Sequence, residues 1–127
     1  MRTALLLAVT LAFLGGVGCG AQEGGACSGE VYHCAAQDSI LECRGGRWVA
    51  IPCKGPDGCR AVSGGLACDV TGNQEGEGCP SAMEGTGFCR GTSPLSLFTC
   101  RGAQVVKLQD CRSCATATGS SSIVCTP

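Results

Sequence analysis

Short apolar segments separated by glycine turns recur along the chain after residue 26, and they show no helical periodicity of useful length. Residues 39–43 and 47–51 flank Gly45-Gly46, a pair typical of a two-residue hairpin because both turn residues must accept a positive φ. This turn predicts an antiparallel hairpin. Its opposed pairs are Cys43 with Trp48, Leu41 with Ala50, and Ile40 with Ile51.

Three further hairpins follow from the same kind of signal. Gly102-Ala103 aligns with the first turn, and Ser63-Gly64 and Gly119-Ser120 have the composition of hairpin turns. The opposed pairs that these turns predict are Cys100 with Val105, Phe98 with Lys107, Cys59 with Cys68, and Cys114 with Cys125. The sequence therefore predicts a small all-β, disulfide-rich fold of short β-hairpins.

Twelve of the thirteen cysteines fall in two successive sets of six. Residues 23–27 resemble residues 75–79, and residues 43–45 resemble residues 100–102, so the chain is expected to contain two tandem repeats, each stapled by three disulfides. The predicted boundaries are module 1 at residues 27–70, a polar and glycine-rich linker at 71–78, and module 2 at 79–127. The first set is Cys27, Cys34, Cys43, Cys53, Cys59 and Cys68, and the second is Cys79, Cys89, Cys100, Cys111, Cys114 and Cys125.

The N-terminal residues 1–18 have the pattern of a signal peptide. A charged start precedes an apolar run at residues 4–14, which is shorter than the roughly 20 residues that a membrane-spanning helix needs. Gly18-Cys19 resembles the lipobox of bacterial lipoproteins, although Gly16 stands where that motif usually has leucine. We therefore expect lipidation of Cys19, with residues 19–26 as anchor and tether. The alternative is ordinary cleavage after Ala21, which would leave a soluble secreted chain.

These features predict a location outside the cytoplasm and attachment to a membrane through the N-terminal lipid. The expected site is the bacterial outer membrane, or otherwise the periplasm or the medium. In such an oxidising compartment, twelve cysteines indicate a disulfide framework. Modules this small need such staples because they cannot bury a large core.

The hairpin registers predict the disulfides Cys59–Cys68 and Cys114–Cys125, because opposed strand residues lie within bridging distance. The other eight cysteines are expected to pair within their modules. The preferred pairs are Cys27–Cys43, Cys34–Cys53, Cys79–Cys100 and Cys89–Cys111. Zinc or a redox-active dithiol at Cys111 and Cys114 is the alternative, but module 1 has no matching knuckle and no strand-helix-strand pattern surrounds this motif.

Three sequence segments of module 1 together have the form of a known repeat. They are residues 41–48 (LECRGGRW), residues 53–59 (CKGPDGC) and Cys68-Asp69. The mature chain thereby resembles the tandem six-cysteine repeats of exported, often lipid-anchored, bacterial proteins of uncharacterised function. Module 2 departs from this repeat motif at residues 111–114, at Val105 and at Thr126. The resemblance implies export and architecture, and it brings no catalytic residue.

Few side chains could carry chemistry. His33 is the only histidine, and no nucleophile motif accompanies it, so we expect an ordinary surface residue and no enzyme. Trp48 and Tyr32 could form a sugar-stacking platform. The position of Trp48 opposite Cys43 instead favours packing on a disulfide.

Two charged segments are candidates for binding sites. Lys54, in the turn between Cys53 and Cys59, could be presented to a protease as an inhibitory loop. The acidic residues Glu75, Glu77 and Glu84 lack the spacing of a calcium site, so no metal or cofactor is expected.

The charge balance excludes one class of partner. Nine Lys and Arg stand against ten Asp and Glu, and the chain has no basic patch for nucleic acid. We therefore predict a non-enzymatic cell-envelope protein with a binding or structural role toward an unknown protein or glycan. A secreted protease inhibitor is the alternative.

Overall fold

The predicted small all-β, disulfide-rich fold is confirmed. A computed structural model describes residues 20–29, 31–116, 118 and 122–127, and these residues form β-strands, one 3-10 helix and no α-helix. The strands of module 1 are β1 (Tyr32–Ala36), β2 (Ser39–Arg44), β3 (Arg47–Pro52), β4 (Cys59–Val62) and β5 (Gly65–Cys68). Module 2 begins with the 3-10 helix Ser81–Met83 and continues with β6 (Gly87–Arg90), β7 (Leu95–Arg101), β8 (Gln104–Cys111), β9 (Ser113–Thr116) and β10 (Ile123–Thr126).

The same order of strands occurs in both modules. Each has a three-stranded antiparallel sheet, β1-β2-β3 or β6-β7-β8, followed by a two-stranded hairpin, β4-β5 or β9-β10. The segment before each first cysteine pairs with the third strand of its own sheet, through the bridges Ala26–Arg47 and Gly78–Gln104. Residues 24–26 are therefore not a free tether, because Gly24 and Gly25 exchange backbone hydrogen bonds with Trp48.

The hairpin registers agree with the prediction. Gly45 and Gly46 have φ of 57° and 78°, and Gly102 and Ala103 have φ of 59° and 63°. All seven predicted opposed pairs are present. Residues 119 and 120, at the last predicted turn, lie outside the described residues. Beyond Phe98 the register of β7 and β8 shifts by one residue, so Leu108 is an extra residue that lies 44% exposed.

The left-handed backbone of Ala103 gives a first testable expectation. A Cβ in this conformation costs about 1–2 kcal/mol. Replacing alanine by glycine removes that cost, but part of the gain in stability is offset because glycine gives the unfolded chain more conformational freedom. Ala103→Gly should therefore raise the free energy of unfolding by about 0.5–1 kcal/mol. Urea denaturation of the oxidised chain measures this.

Gly46→Ala is the matched reverse change in module 1. A Cβ on Gly46 would meet no atom within 4 Å, so only the conformational cost applies, and we expect a loss of about 1 kcal/mol. A lower unfolding midpoint for Ala103→Gly would contradict the turn assignment.

One buried cluster spans both modules. Alternation along β1, β2 and β3 gives module 1 a front face, with Tyr32, Ile40, Glu42 and Ile51, and a back face, with Val31, His33, Leu41 and Trp48. The front face of module 1 belongs to the same core cluster as the back face of module 2, whose strands supply Phe88, Phe98 and Val105. The modules are therefore stacked, front to back, on a shared core.

The segment between the modules is anchored at one residue. The composition of residues 71–78 predicts a linker, and most of these residues are exposed, but Asn73 is fully buried. A Cβ on Gly72 would overlap the carbonyl of Lys54, so the glycine here serves a close backbone approach and not flexibility.

Candidate functional site: the junction of the two modules

A polar clamp closes the junction at the start of module 2. Glu42 on β2 accepts hydrogen bonds from the Tyr32 hydroxyl (3.1 Å) and from the backbone N–H of Ser81 (3.0 Å). Its other carboxylate oxygen pairs with Arg44. Arg44 also donates to the carbonyl of Cys79 (3.0 Å), and the N–H of Ala82 donates to the Tyr32 hydroxyl (3.1 Å). Side chains of module 1 thus hold the backbone of module 2.

The clamp carboxylate is kept ionised. Burial acts to raise the pKa of Glu42, but the hydrogen bonds from Ser81 and Arg44 outweigh it, so the pKa lies below its ordinary 4.5. Burial raises the pKa of Tyr32, although the hydrogen bond from Ala82 opposes this effect. The phenol therefore stays protonated and donates to the carboxylate.

The lowered pKa of Glu42 makes the junction sensitive to acid. A group with a depressed pKa in the folded state contributes stability above its unfolded pKa, and that contribution is lost as the pH falls. We expect the midpoint of urea unfolding to be flat at neutral pH and to fall below about pH 4.5, the ordinary pKa of glutamate. In Glu42→Gln the protein should be less stable at pH 7 and its acid-dependent loss smaller.

Glu75→Gln is the control for this expectation, because Glu75 is exposed and its carboxylate accepts a hydrogen bond from the backbone of Lys107, away from the clamp. If Glu42→Gln keeps the full acid-dependent loss of the parent, the clamp is not its source.

The Asn73 side chain connects residues 52–54, at the end of β3, with Gly78, just before the first cysteine of module 2. Its side-chain oxygen accepts from the N–H of Lys54 (3.0 Å), and its amide donates to the carbonyls of Pro52 (2.6 Å) and Gly78 (3.0 Å). Its own carbonyl accepts from Arg90 of module 2. Both polar atoms of this buried side chain therefore have backbone hydrogen-bond partners.

The loop between Cys53 and Cys59 lies against the connecting segment. The Lys54 ammonium pairs with Glu77, the N–H of Gly55 donates to the carbonyl of Asp69 (2.8 Å), and the N–H of Asp57 donates to the Asp69 carboxylate (3.1 Å). Hydrogen bonds therefore hold the loop to Asp69, although Lys54 and Asp57 remain exposed.

A cavity of about 300 Å³ lies beside the clamp. Its walls are almost wholly apolar and come from both modules: Tyr32, Ile40, Leu66, Ala67, Cys68, Pro80, Ala82 and Met83. Its size is at the lower end for small-ligand pockets, which are mostly apolar and often lie between domains. It can accept an uncharged aliphatic or aromatic group.

The disulfides differ from most of the predicted pairs. All twelve cysteines of the two sets are bonded within their modules, and Cys27–Cys43 and Cys79–Cys100 are as preferred. The predicted Cys59–Cys68, Cys114–Cys125, Cys34–Cys53 and Cys89–Cys111 are wrong. The observed bonds are Cys34–Cys59, Cys53–Cys68, Cys89–Cys114 and Cys111–Cys125, so both modules join the first cysteine to the third, the second to the fifth and the fourth to the sixth.

The physical reason is that a two-stranded hairpin must be attached to the rest of its module, and a disulfide within the hairpin does not do this. Cys59 does lie opposite Cys68, and Cys114 opposite Cys125, but a bond there would only repeat a local pairing. A lone two-stranded hairpin is marginal in water. The observed bonds tie the hairpin to the three-stranded sheet, at 5.8 Å between the Cα atoms of Cys34 and Cys59. They close loops of 25 and 15 residues, each worth about 3 kcal/mol in the chain-entropy model.

The CxxC motif of module 2 is also accounted for. Cys111 is bonded to Cys125 and Cys114 to Cys89, so neither sulfur is a thiolate. The two cysteines serve separate disulfides rather than zinc or a dithiol couple.

The aromatic platform is not assembled. Trp48 is buried on the back face, 6% exposed, whereas Tyr32 lies on the front face in the clamp. His33 is exposed and its ring lies 6.5 Å from that of Trp48.

The three acidic residues do not converge. Each accepts a separate backbone N–H: Glu75 from Lys107, Glu77 from Gln74, and Glu84 from Gly102. Cys19 lies outside the described residues.

Comparisons with protein-family models, with curated proteins and with solved structures found no match. In the described part of the chain, no helix is long and apolar enough to cross a membrane. The six disulfides indicate an oxidising, non-cytoplasmic location.

Proposed function

We propose that the chain is an exported cell-envelope protein, lipid-anchored at Cys19, which acts as a rigid non-enzymatic binding or structural module. The observation that carries the proposal is the disulfide connectivity, which is the same in both sets of six cysteines. A repeated connectivity and repeated strand order support two tandem copies of one unit. Such frameworks persist where thiols are oxidised.

The shared core supports a single rigid body. The clamp, Asn73 and the buried cluster fix module 2 on module 1, so a ligand would meet a preformed surface and would not have to order it. The apolar cavity beside the clamp is lined by both modules, and it fits an apolar group of a protein or glycan-linked partner.

Lipid anchoring is tested by metabolic labelling with a palmitate analogue. We expect the wild type to be labelled and Cys19→Ser to be unlabelled. Equal labelling of both, or a mature N-terminus at Gln22, would contradict the lipid anchor and favour ordinary secretion.

Binding through the junction is tested by pull-down from an envelope extract. The oxidised chain is compared with Leu66→Trp, which enlarges a side chain that lines the cavity and packs on the core, and with Val62→Trp, an exposed residue of the neighbouring strand. Loss of a captured component with Leu66→Trp alone supports binding at the cavity. Equal capture by all three chains assigns the binding to another surface. Titration against serine proteases tests the inhibitor alternative.

A further inference from the structure

The side chain of Met83 lines the junction cavity and packs against the core cluster that both modules share. Met83 is half-buried, and it is the only methionine of the chain after Met1. It ends the 3-10 helix Ser81–Met83, whose first two backbone N–H groups donate to Glu42 and Tyr32. Methionine is a flexible, polarisable residue that fills irregular apolar space, so its thioether suits the contact between two modules.

Met83 holds the only sulfur of the described chain that is outside a disulfide. All twelve cysteines that the structure describes are bonded in pairs, so none of them offers a thiol to an oxidant. A thioether does react with peroxides, which convert methionine to its sulfoxide. Because the Met83 side chain lines a cavity and the residue is only half-buried, we expect a small peroxide to reach the sulfur in the folded protein.

The described residues that line the cavity offer few hydrogen-bond donors to a sulfoxide oxygen. Among them, only Tyr32 has a side chain with an oxygen or nitrogen atom. The single hydrogen of that hydroxyl is already donated to Glu42. A sulfoxide in the cavity would therefore either lack a partner, which is unfavourable in apolar surroundings, or take the Tyr32 hydrogen away from the clamp. If the side chain turned outward to water instead, the shared core would lose a packing contact.

We propose that Met83 is a redox-sensitive site at which a peroxide loosens the junction of the two modules. A lone pair of the thioether sulfur attacks one peroxide oxygen, and the O–O bond breaks. The sulfur keeps that oxygen and is oxidised by two electrons, while the other oxygen takes the displaced proton and leaves as water or an alcohol. The oxidant is hydrogen peroxide or an organic hydroperoxide, and methionine sulfoxide reductases reverse the change.

The location of Met83 makes the expected response local. The clamp joins the start of module 2 to module 1 beside the cavity, through Glu42, Tyr32 and Arg44. The side chain of Asn73 joins the two modules separately, and Asn73 is not among the residues that line the cavity. Oxidation should therefore open the clamp and leave the attachment at Asn73 in place.

Hydrogen exchange of the disulfide-bonded chain with Cys19→Ser, before and after treatment with hydrogen peroxide, tests the proposal independently of the lipid anchor. Mass spectrometry should find one added oxygen, located at Met83. The backbone N–H groups of Ser81 and Ala82 should then exchange about tenfold faster or more, because the clamp that protects them opens more often. The N–H of Trp48, which is also hydrogen-bonded but does not line the cavity, should keep its rate.

Two variants control for the chemistry and for the place of the sulfur. Met83→Leu has a similar volume and no sulfur, so peroxide should leave its exchange rates unchanged. Met83→Leu combined with Val62→Met moves the thioether to a position that is 40% exposed and outside the cavity wall. This chain should gain one oxygen without faster exchange at Ser81 and Ala82. Near-ultraviolet circular dichroism checks that each chain is folded before treatment.

Each of four results would overturn the proposal. The first two are a folded parent whose Met83 takes up no oxygen, and oxidation of Met83 without faster exchange at Ser81 and Ala82. The third is an equal acceleration at Trp48, which would mean that the whole chain is destabilised. The fourth is an equal effect of peroxide on Met83→Leu, which would assign the response to another residue.

Discussion

Asn73→Ala is expected to lower the free energy of unfolding by about 3–5 kcal/mol, because it leaves several buried backbone groups without partners at about 1–3 kcal/mol each. The groups are the N–H of Lys54 and the carbonyls of Pro52 and Gly78. Alanine supplies no polar atom in their place. The loss should exceed that of an ordinary buried hydrogen bond.

The measurement is urea denaturation of the oxidised chain, followed by both circular dichroism and tryptophan fluorescence. Trp48 reports on module 1, whereas circular dichroism reports on both modules, so coincident transitions would show that the two unfold together. Gln74→Ala is the control, because Gln74 is exposed beside Asn73, and its effect should stay within about 0.5 kcal/mol. A loss below about 1 kcal/mol for Asn73→Ala would mean that water satisfies the three groups.

The hairpins of this chain could be predicted from the sequence because their signals are local. Gly45-Gly46 determines both the turn and every opposed pair of β2 and β3, since side chains alternate with a period of two. Even Ala103 keeps the register, at the expense of a left-handed alanine. The conformation of a turn is determined by a few adjacent residues, and such residues can be recognised directly in the sequence.

The disulfide connectivity could not be predicted from those same registers. Opposed positions permit a disulfide but do not require it, and Cys59 has a second neighbour, Cys34, on a strand that no local signal places beside it. Where the hairpin lies on the sheet is a tertiary fact. Which of the two neighbours bonds to Cys59 depends on the position of the hairpin, and the local sequence pattern does not reveal that position.

The junction was missed for a related reason. Asn73 lies in a polar, glycine-rich run whose composition is that of a linker, and its contacts are with Pro52 and Lys54, which lie 21 and 19 residues earlier in the chain. Glu42 did carry a signal. It stands between the apolar residues Leu41 and Cys43 of β2, and a carboxylate at such a position is buried only with partners.

The second large effect is expected at Trp48. Truncation of a buried aromatic residue to alanine costs about 3–5 kcal/mol, and Trp48 is 6% exposed. Its ring lies against the segment before Cys27, where the Cβ of any residue replacing Gly25 would come within 3.8 Å of it. Backbone hydrogen bonds hold that segment to Trp48 itself, so loss of the ring should loosen the N-terminal segment and the hairpin together.

Trp48→Ala should therefore lower the urea midpoint and increase proteolytic cleavage between residues 20 and 27. Val105→Ala is the matched change in module 2, because Val105 is fully buried at the equivalent position opposite Cys100. Its smaller side chain predicts a smaller loss, and its distance from the N-terminus predicts unchanged cleavage there. A Trp48→Ala chain with unaltered stability that no longer binds a glycan array or an envelope fraction would contradict the packing role. The ring would then be a ligand contact, reached by displacement of the segment that covers it.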